Sequence, residues 1–351
     1  MIGKELPPMK LLRQMKYRYP GIFDTIDSLH GDERYKNLWP HESAWTTSQA
    51  VLSAMIAVSG KRPEEMDQEM AADMEAVQTL AEWRQGKTVY DFSSALTEEL
   101  YRGAAEKKLT LAADMLRLPA YAVYIQPNFR EAGDKEDQGC GFFVSWNYTP
   151  APELCFVSID SRGKADLGYR LFIGEEEETL ETCMDRTADS FRKSLEKARS
   201  MRAVQESIGD EEVDLTGTLR SFRRIVSKWL ALVLYLSAVN AEIRRDPAHD
   251  FRRTRKVRDI PREIDHLLVG EETGIRLTEF RRRAGSPRGE DRGGHHRSPV
   301  LHLRRAHWHT YLRGPRKLGP KRQRFLKWIA PIMVGGDGKP AEVVTVARVR
   351  K

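Results

Sequence analysis

An α+β fold is the class this sequence predicts: a helical N-terminal part, a small antiparallel sheet flanked by helices, and a basic C-terminal β-element. Three observations carry the prediction. Helix-forming stretches come first, four short aromatic and β-branched runs follow in one block, and long helical stretches return after them. Strands gathered in a block, not alternating with helices, argue for α+β over α/β. Charge then divides the chain, and residues 302–311 crowd three histidines, two arginines and two aromatics into ten positions.

Residues 43–59 are rich in Ala, Val and Met and stop at Gly60, a C-terminal helix signal. Pro63-Glu64-Glu65 opens a second helix that runs to about Trp83, because proline suits the first turn and acids suit the positive helix end. A third helical stretch covers residues 94–116. From Pro119 the pattern changes to strands at 121–125, 141–146, 154–159 and 169–173, separated by turn-formers. Residues 129–139 read as a charged loop between the first two. Glu175 to Glu178 open a helix reaching about Ser200, and residues 219–243 form another around the apolar run 229–239. Residues 244–262 make a basic connector and 281–298 a Gly-, Pro- and Arg-rich mobile arm, with the apolar segment 264–277 docking between them. Residues 300–312 and 322–334 are two extended candidates, and 341–349 a third. This gives four regions: 1–118 helical, 119–243 the α+β core, 244–299 connector and arm, and 300–351 the basic β-element.

Seven tryptophans and a 40% hydrophobic content support a real core. Cys140, Cys155 and Cys183 are odd in number and far apart, which fits neither a disulfide framework nor a zinc cluster and suggests a reducing, cytoplasmic setting. No long apolar stretch follows the first residues, so no secretory leader is expected. The apolar run 229–239 is too short to span a bilayer, so no membrane partner is expected. No Ser/His/Asp order, nucleophile elbow or dinucleotide fingerprint occurs, and no cofactor is implied. Gly335-Gly336-Asp337-Gly338 lacks the lysine and hydroxyl of a phosphate loop and reads as a hairpin turn. His295-His296 lies within the arm and makes no isolated metal site.

The net charge of +7 conceals an asymmetry. Residues 251–351 hold 26 Lys and Arg against 10 Asp and Glu, a net of +16. Residues 1–250 keep the remaining 32 basic and 41 acidic residues, a net of −9. A polyanion is the partner the basic third suits best, since neutralised phosphates release counterions. A solvated, self-repelling tail is the plainer alternative.

Alternation along a strand over 300–312 puts Arg305, His307, His309 and Tyr311 on one face and His302, Arg304 and Trp308 on the other. A bulge near Ala306 would gather all three histidines. Four readings of this segment remain open. His302, His307 and His309 could act as acid–base groups of a ribonuclease. His307 and His309 could begin a metal site, although the segment has no Asp, Glu or Cys to complete one. Arg304, Arg305, His307, Trp308, His309 and Tyr311 could form a recognition surface for RNA or a protein, joined by Arg322, Arg324, Lys327 and Trp328 from the next strand, where basic residues surround Phe325. Or the histidines and tryptophans could simply be buried on a two-stranded element and hydrogen-bond the backbone, with lysines extended over a small core.

The motif His302-x-Arg304-Arg305-x-His307-Trp308-His309-x-Tyr311-x-x-Gly314, followed by Trp328, Pro331 and Val334, resembles the C-terminal region of a type V-A anti-CRISPR family carried by phages, plasmids and other mobile elements. Leu118-Pro119 before Val123-Tyr124-Ile125, then Gly141-Phe142-Phe143, and the apolar helix around 229–236 are similar in order. The likeness is dense over 302–334, looser over 111–240 and poor at the N-terminus. The resemblance implies a protein that suppresses production of a CRISPR effector nuclease. It would recognise the effector's N-terminal segment as a nascent polypeptide and lower its mRNA, with RNA or the ribosome met by the basic C-terminal region. Under that reading Tyr124, Phe142 and Trp146 are candidates for a peptide groove formed by strand addition at a sheet edge.

Overall fold

The computed structural model describes residues 6–32, 46–61, 65, 68–104, 109–129, 139–147, 152–160, 163–165, 168–174, 176–200, 215–246, 264–285 and 302–334. The 335–338 turn, His295-His296, the 341–349 strand, and most of the 129–139 loop, the connector and the arm lie outside these residues.

Among the described residues four helices come first: α1 (Pro7–Arg18), α2 (Ile22–Gly31), α3 (Ser48–Ser59) and α4 (Gln68–Trp83). Thr47 caps α3 by accepting from the Ala50 N–H at 3.3 Å. Gly60 ends the same helix at φ 68°, a left-handed position that glycine adopts without strain. Next come β1 (Thr88–Phe92), α5 (Ser94–Gly103), β2 (Thr110–Leu111), β3 (Ala122–Gln126), β4 (Gly139–Asn147), β5 (Glu153–Asp160), β6 (Tyr169–Phe172) and β7 (Glu178–Thr179). Then follow α6 (Leu180–Ser200), α7 (Leu215–Ser237), β8 (Ile243–Arg245), β9 (Asp265–Val269) and α8 (Glu271–Gly285). Four strands close the described chain: β10 (His302–Arg304), β11 (His307–Arg313), β12 (Gln323–Ile329) and β13 (Ile332–Val334).

The α+β class holds, and the central sheet is larger and more mixed than a small antiparallel one. Its order is β6-β5-β4-β3-β1-β9-β8. β3 to β6 and the β8/β9 pair are antiparallel, whereas β1 runs parallel to both β3 and β9. Gly141 sits at the register shift in β4 with φ 149°, and a Cβ there would lie 2.5 Å from the Ile125 carbonyl oxygen. Only glycine fits that approach.

Alternation sends the sheet's side chains to two separate cores. Val89, Tyr124, Phe143, Val157 and Ile159 pack beneath α1–α4 with Leu11, Met55, Leu80 and Trp83. Phe92, Val123, Phe142, Val144 and Phe156 pack on the opposite face with α5, α6 and α7. Strands covered on both faces read as continuous apolar runs, which is why these were visible in the sequence. Trp229 of α7 stacks on Phe142 with ring centroids 4.6 Å apart and planes 15° apart. The second half of α7, Leu230 to Tyr235, is buried all round because sheet, α5 and β12 enclose it.

Several expected helix limits shift. The 94–116 stretch is helical only to Gly103 and then forms β2 and a 3-10 turn over Ala113–Met115. Glu178 belongs to β7, paired with β2, and α6 starts at Leu180. The helix expected over 219–243 ends at Ser237, and Ile243 joins β8. The cause is the bend at 238–242, whose groups are bound elsewhere. The Val239 N–H donates to the Leu326 carbonyl at 2.9 Å. Asn240 accepts from the Trp328 N–H at 3.0 Å and donates to its carbonyl at 2.7 Å. The Glu242 carboxylate accepts from the N–H groups of Glu272 and Thr273 at 2.7 and 2.9 Å, capping α8.

Asn240→Ala leaves the buried N–H and C=O of Trp328 without partners, and chemical denaturation is expected to show a loss of about 2–4 kcal/mol. That exceeds the roughly 1 kcal/mol expected for Thr47→Ala, which removes one helix cap.

Candidate nucleic-acid interface

The C-terminal strands do not form one long hairpin. The chain breaks at Arg305-Ala306 and again at Ala330-Pro331, so β10 pairs with β13 while β11 pairs with β12. Ala306 is buried against the main core at the break. An interruption near Ala306 was the expected irregularity, but its effect differs. His302 pairs with Val334 in one ladder, and His307 and His309 face Ile329 and Lys327 in the other.

Within β11/β12 the two faces have opposite characters. Trp308, Thr310 and Leu312 alternate to the inner face with Arg324, Leu326 and Trp328. Leu326 and Trp328 are core residues, and Trp328 meets Tyr235 in a T-shaped contact with ring centroids 5.6 Å apart. Trp308 packs half-buried against the same core. Arg324 is spent on Asp114 at 3.1 Å and Glu177 at 3.8 Å. These three predicted contact residues therefore hold the hairpin down.

The outer face carries His307, His309, Tyr311 and Arg313 on β11, and Gln323, Phe325, Lys327 and Ile329 on β12. His309 and Tyr311 have ring centroids 4.3 Å apart with planes 34° apart. Tyr311 stacks across the hairpin on Phe325 at 5.6 Å and 13°. The result is a row of three adjoining rings, with His309 exposed, Tyr311 at 37% exposure and Phe325 half-buried. Lys327 stands opposite His309 in the register. Arg304 and Arg305 are exposed at one end of β11, and Arg313, Arg316 and Lys317 at the other. Arg322 is half-buried, its Nε donating to the Gly319 carbonyl at 3.2 Å. Over residues 302–334 there are nine Lys and Arg and no Asp or Glu. Such a strip attracts phosphate and offers π-faces to bases.

The peptide-groove residues sit elsewhere. Tyr124 and Phe142 are fully buried and Trp146 is 5% exposed. Tyr124 points into the core under α1–α4, whereas Phe142 and Trp146 point into the other. All three are packing residues on opposite sides of a covered sheet, and they offer a peptide no surface.

Two buried groups were missed in the sequence. His266 of β9 is 5% exposed and lies between two carboxylates, with Nδ1 3.0 Å from Asp246 and Nε2 3.4 Å from Asp91. The hydrogen bond to Asp91 and the charges of both aspartates raise its pKa, with burial opposing them. Both ring nitrogens face carboxylates, so the residue joins β1, β9 and the end of β8. Glu82 of α4 is fully enclosed near Ser145 and Thr46, and burial pushes its carboxyl well above the usual carboxylate range. No local motif marks either group, because their partners are distant in sequence. Among the described residues no three His, Cys, Asp or Glu side chains meet as a metal site, and no helix is long and apolar enough to cross a membrane.

Residues 90–336 match the AcrVA2-like pattern, described as the anti-CRISPR type V subtype A2 family. The chain belongs to that family. It is thereby an anti-defence protein of the anti-CRISPR kind. The matched span of this anti-CRISPR family runs from β1 through the β11/β12 hairpin and leaves α1–α4 outside. Among solved structures, the crystal structure of AcrVA2 is similar in fold, with a TM-score of 0.56 at 12% identity over 94% of this chain and 100% of that one. No curated protein matches the chain.

The raised pKa of His266 makes stability depend on pH with a definite sign. A folded pKa above the unfolded value of about 6.5 gives stability that is complete below that value and is lost as pH rises through the folded pKa. Denaturation midpoints are expected to fall as pH is raised through that window. In His266→Gln the fall should be absent, with lower stability at acidic pH.

Proposed function

We propose that this anti-CRISPR protein lowers production of a type V-A effector nuclease by recognising the effector's nascent N-terminal segment and promoting loss of its mRNA. The outer face of β11/β12 meets RNA or ribosomal RNA in this reading. The observation that carries it is the outer-face row His309, Tyr311 and Phe325, exposed at its His309 end and beside Lys327, in a 33-residue stretch without a single acid. Phosphate affinity from Arg304, Arg305 and Arg313 joins base-stacking affinity from the rings. The acidic body, net −9 over residues 1–250, would be repelled by the same polyanion, which favours a separate task for it such as binding the nascent peptide. Action on a nascent chain places the protein in the cytoplasm.

The hairpin suits recognition better than hydrolysis. His302 stands in a different ladder from His307 and His309, and the outer face supplies no carboxylate to orient an imidazole.

Co-expression with a type V-A effector tests the proposal, following effector protein and effector mRNA together. Both are expected to fall with wild type and to recover with Arg304→Ala/Arg305→Ala/His309→Ala at equal protein abundance. Effector protein falling while its mRNA stays constant would overturn the mRNA step, and no fall in either would overturn the whole reading.

A further inference from the structure

We infer that the outer face of β11/β12 binds unpaired nucleic acid, with a base stacked on the open end of the aromatic row at His309 and its phosphate held by Lys327. The inference rests on the proposed RNA contact and specifies its ligand as a single strand.

The packing of the row sets where a base can go. His309 and Tyr311 are 4.3 Å apart and Tyr311 and Phe325 are 5.6 Å apart, so the three rings already touch and nothing enters between them. A further ring can only extend the row. The Phe325 end is half-buried and the His309 end is exposed, so extension happens at His309. Lys327 is the cross-strand neighbour of His309, within the roughly 5 Å of a directly opposed pair. A cation there reaches the backbone of a nucleotide whose base lies on the imidazole.

A base can stack this way only if its face is free. In a duplex each base is covered above and below, whereas a single strand can splay a base onto a protein ring. The rival is a two-stranded ribbon lying in the major groove of duplex DNA. That mode reads base edges with Arg, Asn or Gln on the face that enters the groove. Between Arg313/Gln323 at one end and His307/Ile329 at the other, this face presents His309, Tyr311, Phe325 and Lys327. Rings outnumber edge-reading groups there. The inner face offers no alternative, since Trp328 is 2% exposed and Arg324 is engaged by Asp114.

The test is fluorescence anisotropy of the full chain with labelled oligouridylate, the deoxy counterpart, duplex RNA and duplex DNA at matched salt. Single strands are expected to bind more tightly than either duplex. A stacking contact predicts that His309→Ala weakens single-strand binding roughly 5- to 150-fold while His309→Phe keeps it, since one base–aromatic stack is worth that factor. Lys327→Gln should lower the slope of log affinity against log salt by about 0.7, a change His309→Ala should not make. The RNA and DNA arms show whether the sugar matters. Equal or tighter duplex binding, or His309→Phe losing as much as His309→Ala, would overturn the inference. These outcomes are separate from the effector assay. Single-strand binding through His309 with no effect on effector mRNA would sink the functional reading alone. Effector suppression with His309→Ala binding normally would sink this one alone.

Discussion

The two hydrogen bonds between the Asn240 amide and the Trp328 backbone fix the edge of the C-terminal hairpin to the body, where Trp308, Arg324 and Trp328 also hold it. A lone two-stranded hairpin is marginal in water. β12 escapes that fate because its second edge is occupied: Val239 gives it one backbone hydrogen bond, and the Asn240 amide gives and takes one with Trp328. An amide can imitate a strand neighbour because it carries a donor and an acceptor side by side. The same bend does further work. The Tyr235 hydroxyl accepts from the Glu242 N–H at 3.3 Å, its ring meets Trp328, and the Glu242 carboxylate caps α8. Tyr235, Val239, Asn240, Glu242 and Trp328 therefore tie the hairpin, α7 and α8 together.

That anchoring separates two uses of one basic, aromatic composition. On the inner face charge is neutralised and rings are dehydrated, as with Arg324 against Asp114 and Trp328 against Tyr235. On the outer face charge is left for solvent or a partner, and rings face outward. A strand's two-residue period makes such a division possible within seven residues. Neither face could be altered freely without disturbing the register that serves the other.

The sequence revealed the parts whose signals are local. Gly60 marks a helix end, and the runs 121–125, 141–146, 154–159 and 169–173 mark strands because both faces of each are apolar. β1 and β9 were less visible: Thr88–Phe92 is only five residues between two helices, and Asp265–Val269 contains a buried polar residue in His266. Their parallel pairing depends on distant partners and leaves no local trace. In the candidate interface, alternation correctly put His307, His309 and Tyr311 together. It also held the information that Trp328 and Phe325 oppose each other, but composition invited grouping them. Tyr124, Phe142 and Trp146 misled for a related reason, since aromatic richness in a strand marks burial as readily as binding.

The pairing of β1 with β9 carries a consequence for the order in which the molecule can be completed. Thr88–Phe92 has β3 on one side as soon as residue 126 exists, but its other side waits for Asp265–Val269. During synthesis, the sheet therefore presents an open, apolar border in its middle, of the kind that recruits foreign strands. Until β9 arrives, Asp91 also lacks the imidazole that balances it. A chain ending before β9 would keep β1 as an uncovered sheet border, with β3 as its one strand neighbour.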